Sequence, residues 1–406
     1  MQIAQRVTQL QESITLKLNT TANRLQASGQ EIFNLTAGQL PIFPPGEFRQ
    51  ALANGTEELK SFQYAPVAGV AALRKKVMQN LERARGISFN QTEQEFDCLI
   101  SNGGKQIIFN ALTCLINPGD KVLLLAPYWI SYPEMVRLLG GQCVVVQSDF
   151  AGGLLPAVAA IKAALTKHHP KVLIVNSPSN PAGRMYPDTW MKELASVLAD
   201  FPDLAIISDE IYFDLNYGGQ WPSYFYQKNL KLLPQTIICS GISKNLASTG
   251  LRIGHCVAAK ELITAMAKLQ GQITSGANSL VQYALLEYDF SKNEEYLRPI
   301  LTRLKTNLKY LQNALETANL AACCYEADSA FYYMINFAAT PAFAAFAKAP
   351  DDDVAEKMCN ELLNKTGVVL VPGSSFGLPN SARMALVLDP PLFAQATDRL
   401  IKFLNV

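Results

Sequence analysis

The stretch TIICSGISKNLASTGLRIGHC, Thr236 to Cys256, begins with an apolar run and then places one lysine among small and apolar residues. The run TIICSG has the β-branched composition of a buried strand. Lys244 follows this run, and the next charged residue is Arg252, eight positions later. A poorly solvated amine loses its proton more easily than a surface lysine and can then act as a nucleophile. The stretch therefore predicts a buried strand that leads into a reactive lysine.

Other apolar runs precede this one, and they lack the polar–apolar alternation of a half-exposed strand. They are VLLLA (122–126), CVVVQ (143–147), VLIVN (172–176) and AIISDE (205–210). Such runs are typical of strands that are buried on both faces. Segments with the apolar spacing of helices lie before and between these runs, such as KQIIFNALTCLI and PDTWMKELASVLAD. Strands and helices in alternation predict an α/β fold, in which a mostly parallel sheet lies between helices.

The chain has 406 residues, which is more than one hydrophobic core usually supports. After about residue 290 a long amphipathic helix, EEYLRPILTRLKTNLKYLQNALETA, is followed by strand-like runs near FYYMINF, VVLV and RMALVL. The acidic run PDDD (350–353) between them predicts a solvated helix start. We therefore expect a large domain over 46–290, a smaller α+β domain over 291–406, and an N-terminal segment, 1–45, that joins the small domain.

The composition indicates a globular enzyme, because hydrophobic residues make up 49% of the chain and charged residues 17%. Lys and Arg number 35 against 34 Asp and Glu without a basic block, so we expect neither nucleic acid nor membrane as a partner. The polar N-terminus and the lack of a membrane-length apolar run favour the cytoplasm. Eight cysteines without CxxC spacing predict buried free thiols, and with only three histidines we expect no histidine-based metal site.

Polar residues follow several of the predicted strands, at the edge where an open α/β sheet binds its ligands. Asp209 ends an apolar strand, where a carboxylate needs a hydrogen-bonding or cationic partner. It either caps the next segment or holds a proton on a heterocyclic nitrogen. Asn180 lies in the turn NSPSNPAG, which is explained by turn chemistry or by an amide that donates to a ligand oxygen.

Other candidates are a phosphate site, an aromatic pair and a second arginine. The glycine-rich SNGGKQ (101–106) opens into a helix, whose unpaired N–H groups suit a phosphate, and Arg252 matches phosphate oxygens. Tyr128 and Trp129 follow a strand, where they either pack against neighbours or stack on a planar ring. Arg383 forms either a salt bridge or a bidentate clip for a carboxylate.

In order along the chain, these segments resemble the class I/II aminotransferases, which are pyridoxal-phosphate enzymes of fold type I. The resemblance runs from about Leu35 to the C-terminus and rests on YAPVAGVAALR, SNGGKQ, PYWISYP, NSPSNPAG, SDEIY, GISKNLASTGLRIG, PGSSFG and ARMAL. It implies a mostly parallel seven-stranded sheet and pyridoxal 5'-phosphate as cofactor. It also implies ping-pong transfer of an amino group from an L-amino acid to a 2-oxo acid, in a homodimer with shared active sites.

The resemblance further implies a role for each matching residue. Lys244 would bind the cofactor covalently and then carry the substrate Cα proton. The other cofactor-binding residues would be Asp209 at the ring nitrogen, Asn180 and Tyr212 at the ring oxygen, Trp129 stacked on the ring, Gly104, Lys105 and Arg252 at the phosphate, and Tyr64 at the phosphate of the neighbouring subunit. The substrate would contact Arg383 through its α-carboxylate, together with Gly38, Lys105, Trp129 and Asn180.

The sequence around GGKQ and PYWISYPEMV resembles that of the aspartate aminotransferase branch, in which Lys105 would bind the distal carboxylate of the substrate. The segment QITSGANS (272–279) resembles one that assists from the other subunit. We therefore expect aspartate and 2-oxoglutarate as substrates. Gln39-Leu40-Pro41 stands where many relatives have Glu-Pro-Asp, and Ser329 replaces a common glycine. These departures leave open aromatic or aliphatic amino donors. The same fold and cofactor also leave open a C–S lyase or decarboxylase, and a non-catalytic cofactor-binding module.

Overall fold

A computed structural model describes residues 1–8, 10, 14–348 and 353–406 of the chain. Its strands are β1 Phe33–Asn34, β2 Phe96–Ser101, β3 Lys121–Leu125, β4 Gln142–Val146, β5 Val172–Asn176, β6 Ala205–Asp209, β7 Thr236–Gly241, β8 Gly254–Ala259, β9 Tyr332–Asn336, β10 Val368–Val369, β11 Val371–Pro372 and β12 Ser381–Ala385. The α-helices of the same residues are α1 Gln5–Thr8, α2 Ile14–Ala27, α3 Gly46–Gly55, α4 Ala71–Arg85, α5 Gly104–Leu115, α6 Ser131–Leu138, α7 Val158–His168, α8 Asp188–Leu198, α9 Phe225–Lys228, α10 Ile242–Asn245, α11 Lys260–Ile273, α12 Ser279–Glu287, α13 Asn293–Thr317, α14 Phe343–Phe346, α15 Val354–Thr366 and α16 Pro390–Leu404.

A seven-stranded sheet forms the centre of the molecule, in the order β2-β8-β7-β6-β5-β3-β4. The pairs β3–β4, β3–β5, β5–β6 and β6–β7 are parallel, whereas β8 runs antiparallel to both β2 and β7. The predicted strands VLIVN and TIICSG coincide with β5 and β7. The predictions for β3 and β4 are displaced by one residue, and β6 ends one residue earlier than predicted. The mostly parallel sheet between helices is confirmed.

The sheet is buried on both faces, because alternate residues of its strands enter two separate hydrophobic clusters. Leu123 and Val175 pack with apolar residues of α4, α7 and α8 on one face. Val122 and Ile174 pack with α5, α6 and α11 on the other face. Each fully buried side chain of this size contributes about 1.5–3 kcal/mol of transfer free energy. This double burial explains why the strands read as continuous apolar runs.

A third cluster lies around the C-terminal part of the chain. The strands β11, β12 and β9 form an antiparallel sheet there, and Leu304 and Leu311 of α13 pack against it. Phe33 and Leu35 belong to the same cluster, and β1 pairs in parallel with β10. The N-terminal segment is thus attached to the C-terminal part, while the domain boundaries at residues 45 and 290 stay a prediction.

The acidic run before α15 lies mostly outside the described residues. Its last member, Asp353, precedes the helix, and its carboxylate accepts a hydrogen bond from the backbone N–H of Glu356 at 2.9 Å. Residues 350–352 are not among those described. The predicted helix start is therefore confirmed at Asp353 alone.

The eight cysteines are free thiols, five of them buried and three partly buried, as the sequence predicts. Within the described residues, no cluster of histidine, cysteine and acidic side chains is arranged to hold a metal ion. The same residues include no helix with both the length and the apolar character that a membrane crossing requires.

Candidate active site

A cavity of about 560 Å³ opens beyond the carboxyl ends of β5, β6 and β7. This is the edge at which open α/β sheets bind ligands. Its walls contain ten of the residues that the sequence predicts for the site: Gly38, Gly104, Lys105, Trp129, Asn180, Asp209, Tyr212, Lys244, Arg252 and Arg383. Residues more than 300 positions apart in sequence thus meet in one place.

Asp209 lies at the end of β6 with 6% of its surface exposed. The hydroxyl of Tyr132 donates a hydrogen bond to its Oδ2 at 2.5 Å, and the backbone N–H of Ile211 donates to its Oδ1 at 3.3 Å. Burial raises the pKa of Asp209 to about 6, although both hydrogen bonds and Lys244 lower it. The second bond shows that Asp209 also caps the turn after its strand. Among the described residues, no cation forms an ion pair with it, so the carboxylate can accept a cationic ligand.

Lys244 belongs to α10, the short helical turn that follows β7. Its Nζ donates a hydrogen bond to the backbone oxygen of Gly38. Burial lowers the pKa of Lys244 to about 8, and the positive charges of Arg383 and Arg252 act in the same direction, while Asp209 opposes them. A lysine with this pKa is partly neutral near neutral pH, which a nucleophilic amine requires.

Arg383 lies on β12 and is only 3% exposed. Its Nη1 donates to Oδ1 of Asn180 and its Nη2 donates to the backbone oxygen of Thr36, both at 3.0 Å. Nε has no hydrogen-bond partner within the described residues, and the guanidinium lies 4.3 Å from the centre of the Tyr332 ring. The described residues provide no carboxylate for this arginine, so the salt-bridge alternative finds no support. A buried guanidinium without an anion is a site for a carboxylate ligand.

The predicted phosphate site depends on close packing at two glycines. Gly103 has φ 91° and precedes α5, and a β-carbon there would lie 2.6 Å from Nη2 of Arg252. A β-carbon at Gly254 would lie 2.4 Å from the carbonyl carbon of Gly103. Arg252 has φ 53°, its Nη1 donates to the oxygen of Thr249 at 2.9 Å, and it pairs with no carboxylate of the described chain. A free helix N-terminus beside an unpaired guanidinium fits a phosphate group.

Lys105 and Trp129 lie together at the wall of the cavity. The Nζ of Lys105 is 5.0 Å from the centre of the Trp129 ring, and Trp129 packs edge-on against Tyr132. Desolvation lowers the pKa of Lys105, and the charge of Arg252 lowers it further. Lys105 also lines an adjoining cavity of about 660 Å³, together with Tyr128. Trp129 therefore lines the main cavity, whereas Tyr128 lines the adjoining one.

Asn180 and Tyr212 are held by neighbours that sequence reasoning missed. The backbone N–H of Asn180 donates to Oδ1 of Asn176 at 2.9 Å, and Nδ2 of Asn176 donates to the backbone oxygen of Asp209 at 2.9 Å. The ring of Tyr212 packs edge-on against that of Tyr332, with centroids 6.0 Å apart, and the Tyr332 ring also covers Arg383. Asn176 thus ties the turn to the end of β6.

Tyr132 is the other residue that sequence reasoning missed. It lies three positions after Trp129 in PYWISYP, where α6 begins at Ser131. Residues three apart share one face of a helical turn, so this spacing was a usable signal. For Tyr332 and Asn176 no comparable signal exists, because their roles depend on contacts across strands.

Tyr64 does not line the cavity of its own chain and is 93% exposed. Ser279 holds the chain on both sides of it, because its Oγ donates to the oxygen of Gln63 at 2.6 Å and accepts from the N–H of Ala65 at 3.1 Å. The predicted segment QITSGANS thereby supports the Tyr64 loop. The contribution of Tyr64 to a neighbouring subunit stays a prediction.

The cavity fits pyridoxal phosphate in three respects. The Asp209 carboxylate is buried and forms no ion pair with any described residue, so a protonated ring nitrogen would neutralise it. A lysine of lowered pKa, Lys244, lines the same cavity. At the other end, the glycine-lined start of α5 and Arg252 form a cradle for an anion.

Comparisons with known proteins agree on one family. The family model described as aminotransferase class I and II matches residues 30–400. An aspartate aminotransferase of Geobacillus stearothermophilus is 31% identical over 100% of this chain and 99% of its own. An aspartate/prephenate aminotransferase of Nitrosomonas europaea is 29% identical over the full length of both chains. The structure of the Thermus thermophilus aspartate aminotransferase with maleate superimposes with a TM-score of 0.88 and 29% identity, covering 100% of each chain.

Proposed function

Because the chain belongs to the class I and II aminotransferases, we propose that it transfers the amino group of L-aspartate to 2-oxoglutarate with pyridoxal 5'-phosphate as resident cofactor. The observation that carries the proposal is the convergence of Lys244, Asp209 and the anion-free Arg383 on one cavity. Relatives that match over the full chain are named aspartate aminotransferases, which supports aspartate as the amino donor. The cytoplasmic location and the homodimer remain predictions.

The cofactor would be held at both ends. The backbone N–H groups of Gly104 and Lys105, with Arg252, would bind its phosphate, and Asp209 would form a charge-assisted hydrogen bond with its ring nitrogen. Trp129 would stack on the ring, and Asn180 and Tyr212 would donate to its ring oxygen. When bound, pyridoxal phosphate withdraws electrons from the substrate Cα and makes the Cα proton acidic.

Lys244 would carry the proton of the reaction. Burial lowers its pKa to about 8, which places the amine close to the working range of a general base. Such an amine would take the Cα proton and return it to a neighbouring atom of the same bound group. The bond from Nζ to the oxygen of Gly38 shows that the amine reaches the segment that would close over the substrate.

The substrate would be oriented by its two carboxylates. Arg383 would bind the α-carboxylate through its planar fork, with Asn180 and the oxygen of Thr36 fixing the guanidinium plane. Lys105, at the boundary of the two cavities, would bind the distal carboxylate. A carboxylate clamp at each end favours a dicarboxylic amino acid over an aliphatic one.

Tyr64 would complete the phosphate site of a partner copy. Its phenol is exposed in the single chain, and Ser279 holds its loop in place. We therefore propose a homodimer with two shared sites. Mixing inactive Lys244→Ala chains with Tyr64→Phe chains tests whether Tyr64 acts on the other subunit. If it does, one site of each hybrid dimer contains both Lys244 and Tyr64 and should have wild-type activity. If Tyr64 acts within its own chain, no site of the hybrid contains both residues.

A single-turnover experiment tests the reaction. With aspartate alone, an aminotransferase releases one equivalent of oxaloacetate per site and stops until a 2-oxo acid is added. Continuous product release would identify a lyase or decarboxylase, and no product would identify a cofactor-binding module. A screen of 2-oxo acids that includes prephenate, which the name of the Nitrosomonas relative contains, then assigns the acceptor. A preference for aromatic or aliphatic donors over aspartate would refute the substrate proposal.

A further inference from the structure

Glu210, the residue after Asp209, is buried with 0% exposure and is not used by the proposed reaction. The Nε and Nη2 of Arg85 lie 2.8 and 2.6 Å from its Oε2. The hydroxyls of Ser208 and Tyr226 each donate to its Oε1 at 2.8 Å. Both oxygens of Glu210 are therefore satisfied, and its charge is paired.

Arg85 is built into this position from several sides. It is the last residue of α4 and is only 7% exposed. Its guanidinium carbon lies 3.2 Å from the centre of the Phe213 ring, and its backbone oxygen accepts from Nε2 of Gln227 at 2.6 Å. The charge of Glu210 raises the pKa of Arg85 against the effect of burial, so the arginine stays protonated.

A buried ion pair of this kind contributes little net stability, because desolvation of both charges offsets their attraction. Well-packed apolar side chains would fill the same space at equal or lower cost. Stability alone therefore gives no reason for Arg85 and Glu210, and their position suggests another reason. Glu210 is the direct neighbour of Asp209 in the chain.

The two neighbouring carboxylates point to opposite faces of the sheet, as consecutive residues of an extended strand do. Asp209 contacts Tyr132 on the cavity side, whereas Glu210 contacts Arg85 on the other. The backbone N–H of Glu210 donates to the oxygen of Cys239 at 2.8 Å, which ties the end of β6 to β7. The negative charge of Glu210 opposes ionisation of Asp209, so pairing this charge with a cation favours the ionised form of Asp209.

We propose that Arg85 is a positioning residue for Asp209: by neutralising and anchoring Glu210 behind the sheet, it keeps the Asp209 carboxylate ionised and directed into the cavity. The inference rests on the proposed function, in which Asp209 binds the cofactor ring. It assigns a role to a residue on α4 that lines no wall of the cavity.

The other ionisable groups around these side chains do not replace Arg85. Asp209 faces Tyr132 on α6, Tyr212, Cys239 on β7 and the Lys244 amine. The Arg85–Glu210 pair faces the phenols of Tyr224 and Tyr226, with Asp214 beyond Tyr224, and His255 on β8. Burial lowers the pKa of His255 to about 4, so it is neutral above that pH. Arg85 is thus the cation that the described residues place against Glu210.

The test measures binding of pyridoxal phosphate to the full-length apoprotein by quenching of tryptophan fluorescence, from about pH 5.5 to about pH 9. In Arg85→Met, Glu210 carries a charge without a cation beside it above its own pKa, which burial raises. There the affinity should fall about tenfold, which moves the acid side of the pH profile up by about one pH unit. Glu210→Gln should move the acid limb of the affinity to lower pH, because the positive charge of Arg85 is then unopposed and favours the ionised form of Asp209. The double variant Arg85→Met/Glu210→Gln should return it to the wild-type position.

Arg303→Met is the matched control, since Arg303 pairs with Asp389 at 2.9 Å on the partly exposed surface and should leave the limb unchanged. If Arg85→Met does not fold, Glu210→Gln decides alone. An acid limb that is the same in wild type, Arg85→Met and Glu210→Gln would overturn the inference and leave the proposed function intact. Wild-type protein that binds no pyridoxal phosphate at any pH would instead overturn the proposed function.

Discussion

Replacing Tyr132 by phenylalanine removes the hydroxyl that donates to Oδ2 of Asp209 at 2.5 Å. A hydrogen bond to a charged group contributes about 1.5–3 kcal/mol, and one between neutral groups contributes about 0.5–1.5 kcal/mol. The ionised form of Asp209 therefore loses about 1–1.5 kcal/mol more than the neutral form. Since one pKa unit corresponds to about 1.36 kcal/mol, the pKa of Asp209 should rise by about one unit from its value of about 6.

The sign of the stability change follows from linkage. The folded-state pKa of Asp209, about 6, lies above its ordinary value of 3.8. Below pH 3.8 the carboxyl group is neutral in both states, so there is no buried charge to destabilise the protein. The destabilisation grows as the pH rises from 3.8 through about 6. Because Tyr132→Phe raises the pKa of Asp209 further, the destabilisation continues to grow to a higher pH in the variant. The variant should therefore lose about 1–1.5 kcal/mol more stability at about pH 8.5 than at about pH 4.5.

Urea unfolding of the apoprotein at the two pH values measures this difference. Tyr310→Phe is the control, because the hydroxyl of Tyr310 donates to Oδ1 of Asp398 at 2.9 Å on the exposed surface. An exposed pair of this kind should show a loss below about 1 kcal/mol at either pH. Equal losses of stability at both pH values for Tyr132→Phe would show that its hydroxyl does not stabilise the Asp209 charge.

Three other substitutions test the proposed roles. Lys244→Ala should abolish turnover and the absorbance of lysine-bound cofactor while the circular dichroism stays that of the wild type; an active alanine variant would refute the role. Lys105→Ala should lower kcat/KM for aspartate by about ten- to a hundredfold, as expected for one charge-assisted hydrogen bond, with little effect on alanine or phenylalanine; equal losses on all three amino acids would assign Lys105 to the phosphate or to structure. Arg383→Lys should lower kcat/KM by about a hundredfold for every α-amino acid, because lysine cannot make the two parallel hydrogen bonds of the guanidinium to the α-carboxylate. The affinity for pyridoxal phosphate should stay unchanged. A matching loss of cofactor affinity would count against the assignment of Arg383 to the substrate.

The central sheet could be predicted because each strand carries its own evidence. Runs such as VLIVN (172–176) are apolar at every position, and only a strand covered on both faces requires this. The polar residues that follow, Asn180 and Asp209, could be placed at one edge since parallel strands end together. That the two share a cavity with Lys244 follows from the same rule.

Contacts between distant segments could not be predicted in the same way. Nothing in the composition of GHCVAA, residues 254–259, indicates that β8 runs against its neighbours, because pairing direction depends on the whole fold. Arg85 ends an ordinary amphipathic helix, and its partner Glu210 lies 125 positions later. A buried charge of this kind is visible only when the helix is placed on the sheet.

The pairing of β2 has a consequence for the order in which the protein is made. β2 contacts β8 as its neighbour in the sheet, yet a ribosome finishes β8 about 150 residues after β2, which at ~5–20 residues per second takes many seconds. During that time residues 96–101 have no strand to pair with, and the anion cradle between Gly103 and Gly254 does not exist. Nascent chains that end before residue 254 should therefore be unable to retain pyridoxal phosphate. Until β8 is made, β2 is an unpaired strand with apolar side chains, which a chaperone can bind.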